Sequence, residues 1–272
     1  MTKAGTIRAL LTVGVLAAIL GGLLYSIYQH DIERARERIA TGSRIAETPC
    51  GPIEYAVAGD GPPVLIVHGA GGGFDQGLDF GKHLAASGFR VIALSRFGYL
   101  RTPLPNDASA AAQADAHACL LDALNIRRAA VIGASAGAPS SMQFALRHPG
   151  RIAALVLLVP AIYVPRPGGV TSLQTPTGTV LLFDTALKSD FLFWAATRFA
   201  RATVMRTILA TPPEVVANAN ADEQARIDEV LAHILPVSPR RLGLINDARV
   251  IASLQRYELE RIAVPTLAIS TQ

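Results

Sequence analysis

Residues 129–149 read AAVIGASAGAPSSMQFALRHP. The apolar run AAVI passes without a break into Gly133-Ala134-Ser135-Ala136-Gly137, and from there into a helical pattern that reaches about Arg147. A strand that turns into a helix within five residues brings two backbone segments close together. Bulky neighbours would collide there, which accounts for Gly or Ala on every side of Ser135. So sharp a turn forces Ser135 into a strained backbone with its hydroxyl clear of the sheet, and the helix N-terminus behind it favours developing negative charge. Two readings follow: a tight turn with an incidental serine, or a G-x-S-x-G turn that presents a nucleophile. A dinucleotide-binding turn fits poorly, because G-x-G-x-x-G requires Gly where Ser135 and Ala138 stand.

Further short apolar runs occur at GPIEYAVAG (51–59), PVLIVHG (63–69), FRVIALS (89–95) and ALVLLVP (154–160), with PTLAIS (265–270) as the last. Helical patterns such as AAQADAHACLLDALN (111–125) separate them. Buried runs alternating with helices predict an α/β fold, a mostly parallel sheet covered on both faces. Directly after PVLIV comes His68-Gly69-Ala70-Gly71-Gly72-Gly73, a glycine-rich loop able to turn backbone N–H groups toward a neighbouring oxyanion.

In these stretches the chain resembles the α/β-hydrolase superfamily, specifically its bacterial lid-bearing serine hydrolases. The resemblance is carried by the HGAGGG loop, SRFGYLRTPLP (95–105), the GASAG turn, ALRHPGRIAALVLLVPA (145–161) and RIAVPTLAIS (261–270). It implies Ser135 as nucleophile, with the oxyanion held by the N–H of Ala136 and by an N–H of the loop at Ala70 or Gly71. Ser95 stands where many relatives carry Asp before the R-x-G turn. The implied activity is hydrolysis of a small ester, thioester or related acyl substrate, without metal or organic cofactor. A perhydrolase or carbon–carbon bond hydrolase shares the same turn.

Between residues 161 and 257 the pattern changes to helices, among them EQARIDEVLAHIL (223–235), which resembles the family's cap, or lid. Phe191, Phe193, Trp194 and Phe199 concentrate there, as core or as an apolar pocket wall. A serine hydroxyl needs a histidine to take its proton and a carboxylate to fix that histidine's tautomer. The family places both beyond the strand corresponding to TLAIS, and the sequence given stops at Gln272. The expectation is therefore a hydrolase fold truncated before its acid and histidine, and a catalytically silent protein is the competing reading. Of the six histidines, His68 orders the loop backbone, His83 and His117 read as helix residues, and His148 as a helix end. His233 lies in the cap and His30 beside the apolar N-terminal run.

That run, ALLTVGVLAAILGGLLYSIY (9–28), carries no charge and matches a hydrocarbon core of about 30 Å at about 1.5 Å per residue. It predicts an N-terminal transmembrane helix, with Tyr25 and Tyr28 at the interface. Gly14, Ala18 and Gly22 form a stripe that would allow self-association of two such helices, although small residues are common in spanning helices. The orientation stays open, since Arg34, Arg36, Arg38 and Arg44 alternate with Asp31, Glu33, Glu37 and Glu47. The expected organisation is an anchor (1–30), a charged helical stalk (31–48), a hydrolase core (49–160), a cap (161–257) and a last core strand (258–272).

Composition agrees with a globular protein. Half of the 272 residues are hydrophobic and 17% are charged, which argues against disorder. The net charge of +4 comes from 25 basic and 21 acidic residues, with no basic stripe interleaved with aromatics, so no nucleic-acid partner is expected. Cys50 and Cys119 lie in no metal-binding spacing and are expected to be free, partly buried thiols.

Overall fold

In a computed structural model the fold is described for residues 3–165, 185–209 and 211–270. Seven strands form one sheet: β1 (Arg44–Ala46), β2 (Ile53–Ala58), β3 (Pro63–Val67), β4 (Arg90–Leu94), β5 (Ala129–Ala134), β6 (Ile152–Leu158) and β7 (Thr266–Ile269). Their order is β1-β2-β4-β3-β5-β6-β7, antiparallel at the β1/β2 and β2/β4 pairs and parallel elsewhere. Each short apolar run between residues 51 and 270 named above becomes a strand; only the three-residue edge strand β1 has no counterpart in the pattern.

The strand period of two decides which residues face which layer. In β3, Val64 and Ile66 point to one side, where helix α2 (Phe74–Ala86) covers them with Leu78, Leu84 and Ala85. Leu65 and Val67 point to the other and join the main core with α3 (Ala110–Ala123) and α4 (Ala138–Arg147), through Leu120, Leu121, Met142 and Phe144. Helices on both faces follow from a sheet whose central strands are apolar on both sides.

Ahead of the sheet, α1 runs unbroken from Lys3 to Ala40 and ends before Gly42, whose φ of +87° suits glycine. Leu10–Ala40 includes a window of mean hydropathy 2.2, long and apolar enough to cross a membrane, and the protein covers none of that window. The C-terminal part of α1 behaves differently: Tyr28, Ile32 and Ala35 are buried.

What buries them is the excursion between β6 and β7, two strands that pair directly. Its α-helices among the described residues are α5 (Asp190–Phe199), α6 (Arg201–Val204), α7 (Pro213–Ala217), α8 (Ala221–His233) and α9 (Arg241–Ala252). The expected cap also takes in residues 166–184 and 210, which lie outside the described residues. Of its aromatics, Phe193 and Trp194 enter a second core with Tyr28, Ile32 and Leu231, whereas Phe199 stays 71% exposed.

One expectation is corrected. Cys50 and Cys119 are not free thiols: they form a disulfide, with Cα atoms 6.2 Å apart, joining the turn before β2 to α3. Two cysteines 69 positions apart in a chain give no spacing from which pairing could be read. The fold supplies it by laying α3 beside the entry to β2.

Candidate active site

The registers place two loops side by side at the carboxyl ends of the parallel strands. Val67, the last residue of β3, pairs with Gly133 of β5, so the loop after β3 and the turn after β5 emerge together. Ser135 follows β5 with φ +45°, a left-handed conformation that non-glycine residues avoid. Three glycines explain why the turn closes this tightly. A Cβ at Gly133 would lie 2.4 Å from Ser141 Oγ, where α4 crosses the strand. At Gly137 it would lie 2.5 Å from the His68 carbonyl oxygen, and at Gly69 it would approach Ser135 Cβ to 3.3 Å. The structure thus brings Ser135 and the 68–73 loop into contact.

Within that loop, His68 is fully buried. Its Nε2 accepts from the Arg96 N–H (3.0 Å), which leaves the proton on Nδ1, 2.7 Å from the Gly69 carbonyl oxygen that accepts it. Burial, reinforced by the nearby Arg96 guanidinium, holds its pKa well below the ordinary histidine value. His68 is a neutral pin for the backbone. The Gly71 N–H donates to Tyr99 Oη (3.2 Å), and Gly71 itself has φ +75°. The Ala70 N–H has no hydrogen-bond partner among the described residues.

The loop is braced by buried ion pairs with the β6–β7 excursion. Arg96 binds Asp247 of α9 through two bonds of 2.6 and 2.7 Å while also donating to the His68 and Gly69 carbonyl oxygens. Burial alone would lower the Arg96 pKa, but the Asp247 carboxylate outweighs it and raises it. Tyr99 donates its hydroxyl to the same carboxylate, and burial beside Asp247 pushes the phenol well above its usual value. In the reverse sense, Arg240 reaches back to Asp75 of α2 (2.8 Å) and to the Gly72 carbonyl oxygen (2.6 Å). Burial would raise the Asp75 carboxyl, yet Arg240 and Arg38 hold it below the usual range.

Ser95, at the position where many relatives carry Asp, reaches a carboxylate from another strand. Its hydroxyl donates to Glu54 of β2 (2.8 Å) and accepts from the Phe74 N–H at the start of α2 (3.1 Å). Arg101 pairs with the same glutamate at 2.7 Å. No motif marked Glu54 or Asp247 in the sequence; each sits alone in an ordinary strand or helix pattern.

No imidazole among the described residues hydrogen-bonds the Ser135 hydroxyl. His117 Nε2 is paired with Ser140 Oγ at 3.1 Å, and burial lowers its pKa to about 3. His148, at the end of α4 as expected, pairs with Asp115 at 2.8 Å.

Comparison with known proteins adds independent support for the fold. The α/β hydrolase fold family matches residues 62–213, more than half of the chain. The chain is 30% identical over 243 residues to the 2-hydroxy-6-oxononadienedioate/2-hydroxy-6-oxononatrienedioate hydrolase of Paraburkholderia xenovorans, covering 76% of this chain and 81% of that one. Several other curated relatives match over only about two fifths of their own length. Among solved structures, an α/β hydrolase fold protein from Nakamurella multipartita superposes with a TM-score of 0.56 at 30% identity, covering 83% of this chain and 80% of that one. A hydrolase from Pseudomonas aeruginosa shares the fold, with a TM-score of 0.60 at 22% identity over 85% and 80% of the two chains. With its sheet order, its strained serine turn and its glycine-rich loop, the chain belongs to the α/β-hydrolase fold family.

Proposed function

We propose that the protein is a membrane-anchored serine hydrolase that cleaves a small ester or related acyl substrate. The observation that carries the reading is Ser135, held at φ +45° at the end of β5, so close to Gly69 that a Cβ there would come within 3.3 Å of the Ser135 Cβ. In this reading Ser135 Oγ attacks the acyl carbon and forms the carbon–oxygen bond of an acyl-enzyme. The leaving group departs with a proton, and water then releases the acid. The Ala136 and Ala70 N–H groups receive the oxyanion. The Gly71 N–H, already given to Tyr99, fixes the loop around them. The chemistry calls for no cofactor.

Helices α5–α9 act as the cap over this site, with Ile234 against Gly71, and the first part of α1 spans the bilayer. A second reading has a specific support: the Paraburkholderia relative is named as a hydrolase of 2-hydroxy-6-oxo acids, which makes a carbon–carbon bond hydrolase the alternative. Turnover of short p-nitrophenyl esters against 2-hydroxy-6-oxo dienoates, measured on the gene product as its own cell makes it, separates the two. Carbonate extraction tests the anchor: the protein stays in the pellet, and deletion of residues 1–30 releases it. Full-length protein in the carbonate supernatant would rule out anchoring.

A further inference from the structure

A cavity of about 650 Å³ lies where the C-terminal part of α1 meets α5, α6 and α8, away from Ser135. Its walls carry four guanidinium groups, Arg34, Arg38, Arg198 and Arg201, and two carboxylates, Asp31 and Asp228. Each carboxylate is taken by one arginine: Arg198 reaches Asp31 at 2.6 Å and Arg201 reaches Asp228 at 2.5 Å. Arg38 is turned to Asp75 and to the Leu235 carbonyl oxygen. Arg34, exposed at the cavity, has no ion pair or hydrogen bond among the described residues. The apolar floor is formed by buried Ala35, Trp194 and Leu231. Among the described residues the cavity is therefore cationic overall, with the Arg34 guanidinium unpaired and an apolar base.

Its level relative to a bilayer follows from α1. Tyr28 ends the uncharged run and packs against Phe191 and Trp194, with ring centroids 5.1 and 5.6 Å away. At about 1.5 Å per residue, Asp31 lies about 4.5 Å beyond Tyr28 and Arg34 about 9 Å beyond it. The polar layer on each side of a hydrocarbon core is about 5 to 8 Å thick. With Tyr28 at the hydrocarbon boundary, Asp31 falls inside that layer and the Arg34 backbone just outside it, with a side chain that leans toward the helix N-terminus and so back toward the headgroups, beside aromatic rings of the kind that favour the interface.

We infer that this cavity binds the phosphate of an anionic lipid headgroup, with Arg34 as its principal ligand and the glycerol backbone over Trp194. The arginine fork suits phosphate oxygens, and the site would fix the cap against the membrane surface. The inference rests on the anchoring reading above.

The test uses the chain's single tryptophan, Trp194, as the reporter. Full-length protein in a non-ionic detergent is titrated with dihexanoyl phosphatidylglycerol, dihexanoyl phosphatidylcholine and sn-glycerol 1-phosphate. The expected result is a saturable, salt-sensitive change in Trp194 emission with phosphatidylglycerol alone. In Arg34→Glu the half-saturation point moves up roughly tenfold or more, the loss of one charge-assisted contact, with an unchanged circular-dichroism melt. Equal responses to the two lipids would overturn anion recognition. Binding of glycerol phosphate as tightly as the lipid would make it a site for a soluble phosphate, and an Arg34→Glu titration identical to wild type would remove the assigned ligand. Carbonate release alongside a positive titration would refute the anchor and leave the site standing; retention with a negative titration would do the reverse.

Discussion

Ser135 occupies a left-handed backbone conformation that costs a non-glycine residue about 1 to 2 kcal/mol, and the turn tolerates this only because glycines at 133 and 137 let helix, strand and loop close around it. Ser135→Gly removes the hydroxyl and the strain together, whereas Ser135→Ala removes the hydroxyl alone. Denaturant unfolding should show the glycine variant more stable than the alanine variant by about 1 kcal/mol; the opposite order would contradict the strained turn. Histidine at 117 makes a second residue-scale case. Its folded pKa of about 3 lies below the unfolded value, so the unfolded chain takes up a proton that the folded chain refuses. The resulting stability is fully present above about pH 6.5 and is lost as pH falls toward 3. His117→Gln should reduce the loss of stability between pH 7 and pH 5 by about 2 kcal/mol. An unaltered acid limb would mean that the ring is protonated in the fold.

At the scale of elements, two buried arginine–aspartate pairs cross in opposite directions between the sheet's loops and the helices inserted after β6: Arg96 to Asp247, and Arg240 to Asp75. Removing one partner of such a pair strands the other charge in the interior. Asp247→Ala should therefore cost about 3 to 5 kcal/mol, read as a lowered denaturant midpoint; a change below about 1 kcal/mol would show that solvent reaches Arg96. The Cys50–Cys119 bridge closes a long loop, and its removal should cost a further 2 to 5 kcal/mol or so. Disulfides persist in oxidising compartments, so thiol alkylation of the protein in its native cell should modify neither cysteine before reduction and both after it. These links were the part of the molecule least legible in the sequence. The strands announced themselves because burial on both faces demands continuous apolar runs, and the turn at Ser135 because close backbone approach demands small residues. Asp247, Glu54 and the cysteine pair are single residues in ordinary local patterns, and only the tertiary fold brings their partners to them.

The molecule as a whole joins an α/β-hydrolase sheet, the helices inserted between β6 and β7, and a long apolar helix whose end packs into those helices through Tyr28, Ile32 and Ala35. The apolar run predicted a helix of spanning length, but its contact with α5 was hidden, because Tyr28 and Trp194 are far apart in sequence and nothing local pairs them. The loops after β3 and β5 are equally uneven: the serine turn and the glycine-rich loop are adjacent, and no imidazole among the described residues hydrogen-bonds Ser135. Residues 1–272 alone should therefore hydrolyse p-nitrophenyl acetate only at the residual level left by binding and oxyanion stabilisation, about 10³ to 10⁴ over water. Turnover of about 1 to 10³ per second would show that one of the six histidines serves as base. Fluorophosphonate labelling of the gene product in its own cell, with the modified peptide sequenced by mass spectrometry, asks whether Ser135 is the nucleophile. One adduct is expected, on Ser135, abolished in Ser135→Ala; an adduct on another residue, or undiminished labelling of the Ser135→Ala protein, would place the nucleophile elsewhere.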